Sequence, residues 1–233
     1  MNDDRSPSPH GQATASLPQL LRLLHLASPA LPVGGFAYSQ GLESAIHCGI
    51  VHDADSAQHW IGTLLDHGLA RSEAPLWLRL HAAAMRTDDA EIGRWNNEVL
   101  ATRETAELRA ESSQMGVSML RIYPALGLVA PALSGPTYTA AFAIACARLG
   151  IEAHDGLAAY LWAWLENQVL VAIKTVPLGQ QAGQAMLFAL HPHIGDAIAT
   201  AAALGDDDMG TATVGLALLS ARHETQYSRL FRS

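Results

Sequence analysis

Residues 155–174 read DGLAAYLWAWLENQVLVAIK. This is the longest apolar run in the chain, and at about 1.5 Å per residue a helix of this length spans either a bilayer or a domain core. Glu166, Asn167 and Gln168 interrupt it near the middle. Hydrocarbon tolerates such groups poorly, so the run reads as a helix buried in protein. Lys174 at its end complements the helix dipole. The mid-helix amides need partners, which predicts a polar pocket or a wet passage beside them.

Outward from this helix the pattern stays helical. Toward the N-terminus, 138–149 is apolar almost all round and stops at Gly150, as a core helix would. Residues 123–136 form a Gly, Pro and Ser-rich linker in which 125–133 reads as a short apolar helix. Residues 102–121 carry Leu108, Met115 and Met119 on one stripe. Earlier segments cover 17–27, 36–48, about 53–68 (capped by Asp53 or Asp55), 71–86, and 89–100 (capped by Thr87 or Asp88). SPALPVGG, residues 28–35, separates the first two. Toward the C-terminus, 178–190, 192–204 and 209–222 read as three further helices. No strand alternation and no fixed repeat appear. The expectation is an all-α fold, one helical domain over 17–221 of roughly ten helices. A disordered N-terminal tail, 1–16, precedes it and a partner-binding tail, 222–233, follows.

Composition narrows the function. Apolar residues make up 49% and charged residues 15%, which suits either a large core or an apolar face covered by a partner. The net charge of −8 repels phosphate backbones, so nucleic-acid binding is not expected. Residues 1–16 lack the basic and apolar regions of a signal peptide, and no membrane span is expected. Cys48 and Cys146 read as buried thiols of a reducing compartment. The expected location is the cytoplasm.

Several chemistries lack their residues. Lys174 is the sole lysine and no phosphate-binding loop precedes it; Gly210 and Gly215 have that loop's spacing, but Leu216 stands where its lysine belongs. His223-Glu224-Thr225-Gln226-Tyr227 starts like a zinc-hydrolase helix and ends in tyrosine. No serine has glycine two residues away on both sides. Among the 11 histidines, His52, His59 and His67 are spaced by two helical turns, about 10 Å, too far for one ion. His191 and His193 flank Pro192, and chelation there, or across a symmetric dimer, stays open. The expectation is no catalytic residue, no metal site and no cofactor.

Four segments place polar groups where a simple core would not. LPVGGFAYSQGLES, 31–44, presents Tyr38, Ser39 and Glu43, of which Ser39 and Glu43 also suit capping. In 102–121, Arg103 and Glu107 are spaced to pair, leaving Glu104, Glu111 and Gln114 unexplained. The third is 163–184 with Lys174. The fourth, RHETQYSRLFRS, 222–233, sets three arginines against one glutamate, a charge of +2 on an acidic chain. If helical, its Tyr227, Leu230 and Phe231 form one stripe, as fold-on-binding segments use; docking on its own domain is the alternative.

LPVGGFAYSQGLE, RETAELRAES, NQVLVAIKTVPLGQ and HETQYSRLFRS, in this order, make the chain resemble the UreF family of urease accessory proteins over essentially all residues after 16. The resemblance implies an all-helical homodimer that serves as a nickel-insertion chaperone or adaptor. It would bridge UreD (also called UreH) and the GTPase UreG during maturation of apo-urease (UreABC), with no chemistry of its own. It also implies that the tail orders against UreD. Candidate partner-binding residues are Tyr38, Ser39, Glu43, Glu104, Lys174, Arg222, His223, Glu224, Gln226, Tyr227, Arg229, Leu230 and Phe231. Two alternatives remain: an arginine offered in trans that modulates UreG hydrolysis, and a histidine-based nickel carrier.

Overall fold

The computed structural model describes residues 16–210 and 213–233. Among them ten α-helices follow one another and no strand occurs. They are α1 (Leu17–Leu26), α2 (Leu42–His47), α3 (Ala54–Thr63), α4 (Glu73–Met85), α5 (Asp89–Ala101), α6 (Ala106–Ile122), α7 (Tyr138–Arg148), α8 (Ala153–Thr175), α9 (Gln180–Ala203) and α10 (Val214–His223). Of the N-terminal tail expected over 1–16, residues 1–15 lie outside the described residues, and Ser16 instead caps α1. No helix among the described residues is long and apolar enough to cross a membrane.

Local chemistry sets the helix starts. Asp53, Asp88, Thr105 and Thr137 each accept a hydrogen bond from the backbone N–H three residues on, satisfying a donor the helix itself cannot. Gly150, at φ +70°, lets the chain leave α7 in the left-handed region that side chains disfavour.

α7 is the core. All nine residues from Thr139 to Ala147 are buried, and α4, α5, α6 and α8 pack around them. Its alanines permit close approach on every side. Gly116 does the same for α6: a Cβ there would lie 2.3 Å from the Pro136 carbonyl oxygen and 2.6 Å from the Thr137 carbonyl carbon. α8 folds back into α9 through residues 176–179, and Gly183 seats Ile173 at the turn, where a Cβ would meet Cδ1 at 2.3 Å.

Tertiary packing overrides several local expectations. Pro192 does not split the chain into two helices; it lies inside α9. Proline removes one N–H and crowds the preceding turn, but Met186, Leu187 and Leu190 before it, and Ala197, Ile198 and Ala201 after it, are all buried, which holds both halves in one rod. The helix expected over 36–48 is interrupted, because Gln40 and Gly41 adopt φ of +51° and +80°, leaving a short turn at Gly35–Ala37 before α2. Residues 125–133 form no α-helix; a 3-10 turn ends at Leu126 and Gly127 turns away with φ +71°. α3 passes into a wider π turn at Leu64–Leu69.

Candidate partner-binding site

The sharp turn at Gln40-Gly41 and the N-terminus of α2 lie against α10 and the segment that follows it. Glu43, one residue into α2, is 9% exposed. Its Oε1 accepts the Leu230 N–H at 2.6 Å, and its Oε2 accepts the Phe231 N–H at 3.0 Å and faces His223 Nε2 at 3.0 Å. The other ring nitrogen of His223 faces Glu107 Oε2 at 2.9 Å, and the ring is fully buried. A neutral imidazole has one N–H, so His223 donates to both carboxylates only as the imidazolium. Arg229 adds a 2.5 Å ion pair to Glu107.

Beyond Glu43 the segment runs extended over the turn before α2. Arg232 donates its N–H to the Ala37 carbonyl at 2.9 Å, and the Ser233 carbonyl accepts from the Ser39 N–H at 2.8 Å and from the Ser39 hydroxyl. Ser39 also accepts the Glu43 N–H at 3.4 Å, so its capping role and its contact with the tail coexist. Phe231 is buried, with Lys174 Nζ 5.9 Å from its ring centre. The residues from Arg229 to Ser233 are therefore docked on their own domain. They are not helical, and Tyr227, Leu230 and Phe231 share no stripe: Phe231 points in, while Tyr227 and Leu230 stand exposed. The tail boundary expected after Ala221 falls inside α10, which carries Arg222 and His223 in its last turn.

Under this segment lies a polar layer. Ser233 Oγ reaches Glu111 Oε2 at 2.8 Å, Gln40 Nε2 donates to Glu111 Oε1 at 2.6 Å, and Trp164 Nε1 donates to Gln40 Oε1 at 2.6 Å. Burial pushes the Glu111 carboxyl up to about 7. Deeper still, Glu73 accepts from Arg103 at 2.5 Å, from Thr139 at 2.6 Å and from the Tyr160 hydroxyl. Burial works against the Glu73 charge, yet Arg103 and the two hydroxyls outweigh it and hold the carboxyl below its ordinary range. Gln40, Glu73, Arg103, Glu111 and Trp164 line a cavity of about 110 Å³ whose remaining walls are largely apolar. Glu166 and Asn167 face this cavity, and Asn167 also donates to the Tyr38 carbonyl at 3.1 Å. Gln168 does not line it and is fully buried without a side-chain partner.

The expected site residues thus separate into groups. Ser39, Glu43, Lys174, His223, Arg229, Leu230 and Phe231 meet in one cluster. Tyr38 is its neighbour, its hydroxyl donating to Gln114 at 2.8 Å. Glu224 accepts from the Glu107 N–H in the first turn of α6 at 3.4 Å. Gln226 bonds within the tail, to the Ser228 carbonyl at 2.8 Å. Arg222 points instead at Cys48 Sγ, 3.8 Å away, and Cys48 is exposed, correcting the expectation that both thiols are buried. Glu104 is exposed and stands apart from the cluster. Arg103 and Glu107 do not pair. Arg103 precedes the N-cap of α6, so helical spacing does not apply to it, and each residue finds a stronger partner across the fold.

Gln40, Glu73, Thr139, Tyr160 and Ser233 were not singled out by the sequence; their one local signal is the tight turn after Gln40, which gives its side chain a fixed direction. The histidine pair at 191 and 193 diverges: His191 packs on Trp162 and Phe188, while His193 Nδ1 bonds Asp66 at 2.9 Å.

Comparison with known proteins places the sequence in a family. The profile of the UreF family matches residues 51–191. The urease accessory protein UreF of Cupriavidus necator is 53% identical over 227 residues, covering 93% of this chain and 99% of that protein. UreF of Azoarcus sp. is 50% identical over 223 residues, covering 92% and 95%. The bifunctional urease accessory protein UreEF of Bordetella bronchiseptica is 49% identical over 225 residues, 92% of this chain and 52% of that protein.

Proposed function

The chain belongs to the UreF family of urease accessory proteins, and from that premise we propose that it is a non-catalytic cytoplasmic adaptor in urease maturation. In this reading it works as a homodimer, engages UreD through α10 and the segment after it, and bridges UreD to the nickel-carrying GTPase UreG so that nickel reaches apo-urease. Metal is cargo in this scheme, and the adaptor supplies surfaces.

The observation that carries the proposal is the two-sided character of residues 224–233. One side is anchored through buried Glu43, Phe231 and Ser233; the other offers Tyr227, Leu230 and cationic side chains to solvent. Val214 and Leu218 on α10 are exposed as well. An aromatic and an aliphatic anchor held on a pre-ordered segment lose little entropy on binding. The relative named bifunctional UreEF supports action beside a second accessory protein, since its name joins two such functions.

Pull-down with purified UreD tests the contact. The full chain retains UreD, and the Tyr227→Ala, Leu230→Ala double variant loses at least about tenfold in affinity, as truncation of anchor residues does. If the double variant binds as the full chain does, the UreD contact lies elsewhere. If the full chain fails to retain UreD, or hydrolyses GTP by itself, the adaptor reading fails.

A further inference from the structure

Among the described residues, three carboxyl groups and one cation line the cavity beside the docked segment: Glu73 on α4, Glu111 on α6, Glu166 on α8, and Arg103 before α6. Glu73 has claimed the cation. Arg103, Thr139 and Tyr160 all bond its Oε1, and no described residue bonds its Oε2. Glu111 is 4% exposed and takes its two hydrogen bonds from neutral groups, Gln40 and Ser233. Half-buried Glu166 takes neither a hydrogen bond nor an ion pair from any described residue. Burial raises the proton affinity of Glu111 and of Glu166, as it does for carboxyls that lack a counter-charge. Buried charge is tolerated beside an opposite charge, and these two carboxyls share one cavity without a cation of their own.

We propose that this cavity binds a small organic cation, a primary ammonium on a short aliphatic stem, held by Glu111 and Glu166. The ammonium has three donors and no acceptor, which matches walls whose free polar atoms are acceptors. Phe36, Tyr138 and Trp164 add aromatic rings, whose electron-rich faces attract a cation. Leu26, Leu31 and Met115 supply apolar cover for the stem. The cavity measures about 110 Å³, the room of about four waters at liquid density, which suits a cation of about five non-hydrogen atoms.

Other occupants fit less well. An anion meets three carboxyls, and a neutral molecule leaves Glu111 and Glu166 uncompensated. A metal ion needs its ligands gathered around one point, and among the described residues no three His, Cys, Asp or Glu side chains are so gathered. Glu111 lies beneath Gln40 and Ser233, so the occupant enters whole, as a free molecule rather than a side chain tethered to a partner. The site is separate from Tyr227 and Leu230, which the adaptor reading gives to UreD, and stands or falls without that reading.

Saturation-transfer NMR on the full chain, with n-butylammonium as the probe, tests the site. The probe binds saturably, and n-butanol and butyrate, of the same length, bind at least about tenfold more weakly. Glu111→Gln and Glu166→Gln each weaken n-butylammonium at least about tenfold, as loss of a charge-assisted hydrogen bond does. Should Glu111→Gln fail to fold, Glu166→Gln and Ala163→Leu carry the test: Glu166 is half-buried, and Ala163 lines the cavity, so a larger side chain there fills it and excludes the probe. No saturable binding overturns the proposal, because the two carboxyls are then neutralised by protons alone. Equal binding of butanol overturns it too, as does binding that both Glu166→Gln and Ala163→Leu leave unchanged. Displacement of the bound probe by an equimolar amount of nickel(II) also refutes it and makes the carboxyls a metal site.

Discussion

His223 Nε2 lies 3.0 Å from Glu43 Oε2, joining the end of α10 to the start of α2 across 180 residues of chain. The same carboxylate receives two backbone N–H groups of the tail, so one side chain ties three separate pieces of backbone together.

Glu43→Ala leaves the N–H groups of Leu230 and Phe231 and the His223 ring without their acceptor. An orphaned buried donor costs about 1–3 kcal/mol. The variant therefore undocks the tail, and amide exchange at Leu230 and Phe231 speeds up by at least about tenfold while exchange in α7 keeps its protection.

Removing Glu73 strands a guanidinium. Glu73→Ala leaves Arg103 buried without its partner, which destabilises the fold by about 3–5 kcal/mol in urea unfolding. Glu73→Ala with Arg103→Met recovers much of that loss.

The Glu73 charge also predicts acid behaviour. Its folded carboxyl lies below the ordinary carboxylate range, so its contribution is present above the unfolded value and disappears as pH falls through the folded one. Stability against urea falls between about pH 5 and 2 in the wild type, and the fall is smaller in Glu73→Gln.

Gly116→Ala places a Cβ against backbone at the start of α7, with no flexible side chain to yield. Overpacking of this kind costs about 1–3 kcal/mol, at times more. The midpoint of thermal unfolding drops, whereas Gly195→Ala, with nothing within 4 Å of the added Cβ, leaves the midpoint unchanged or raises it.

Much of the framework was legible in the sequence. Asp53 and Asp88 act as the caps that their positions announce, α7 is buried all round as its unbroken apolar pattern requires, and α8 covers the run that Glu166, Asn167 and Gln168 interrupt. The misreadings have a common origin. Pro192 and the Arg103–Glu107 spacing are local rules, and each gave way to a contact made at long range. Glu111 and Gln114 stood out in the sequence as unexplained polar residues; their partners, Gln40, Ser233 and Tyr38, lie 71, 122 and 76 residues away.

By itself the sequence determined the helical class, several helix starts and the family, because capping, apolar periodicity and motif order act within one segment or in series along the chain. Only the tertiary structure decided which charges meet: Glu73 with Arg103, and Glu43 and Glu107 around His223. A buried charge is tolerated only beside its counter-charge. That pairing depends on which helices the core brings together, which no single segment encodes.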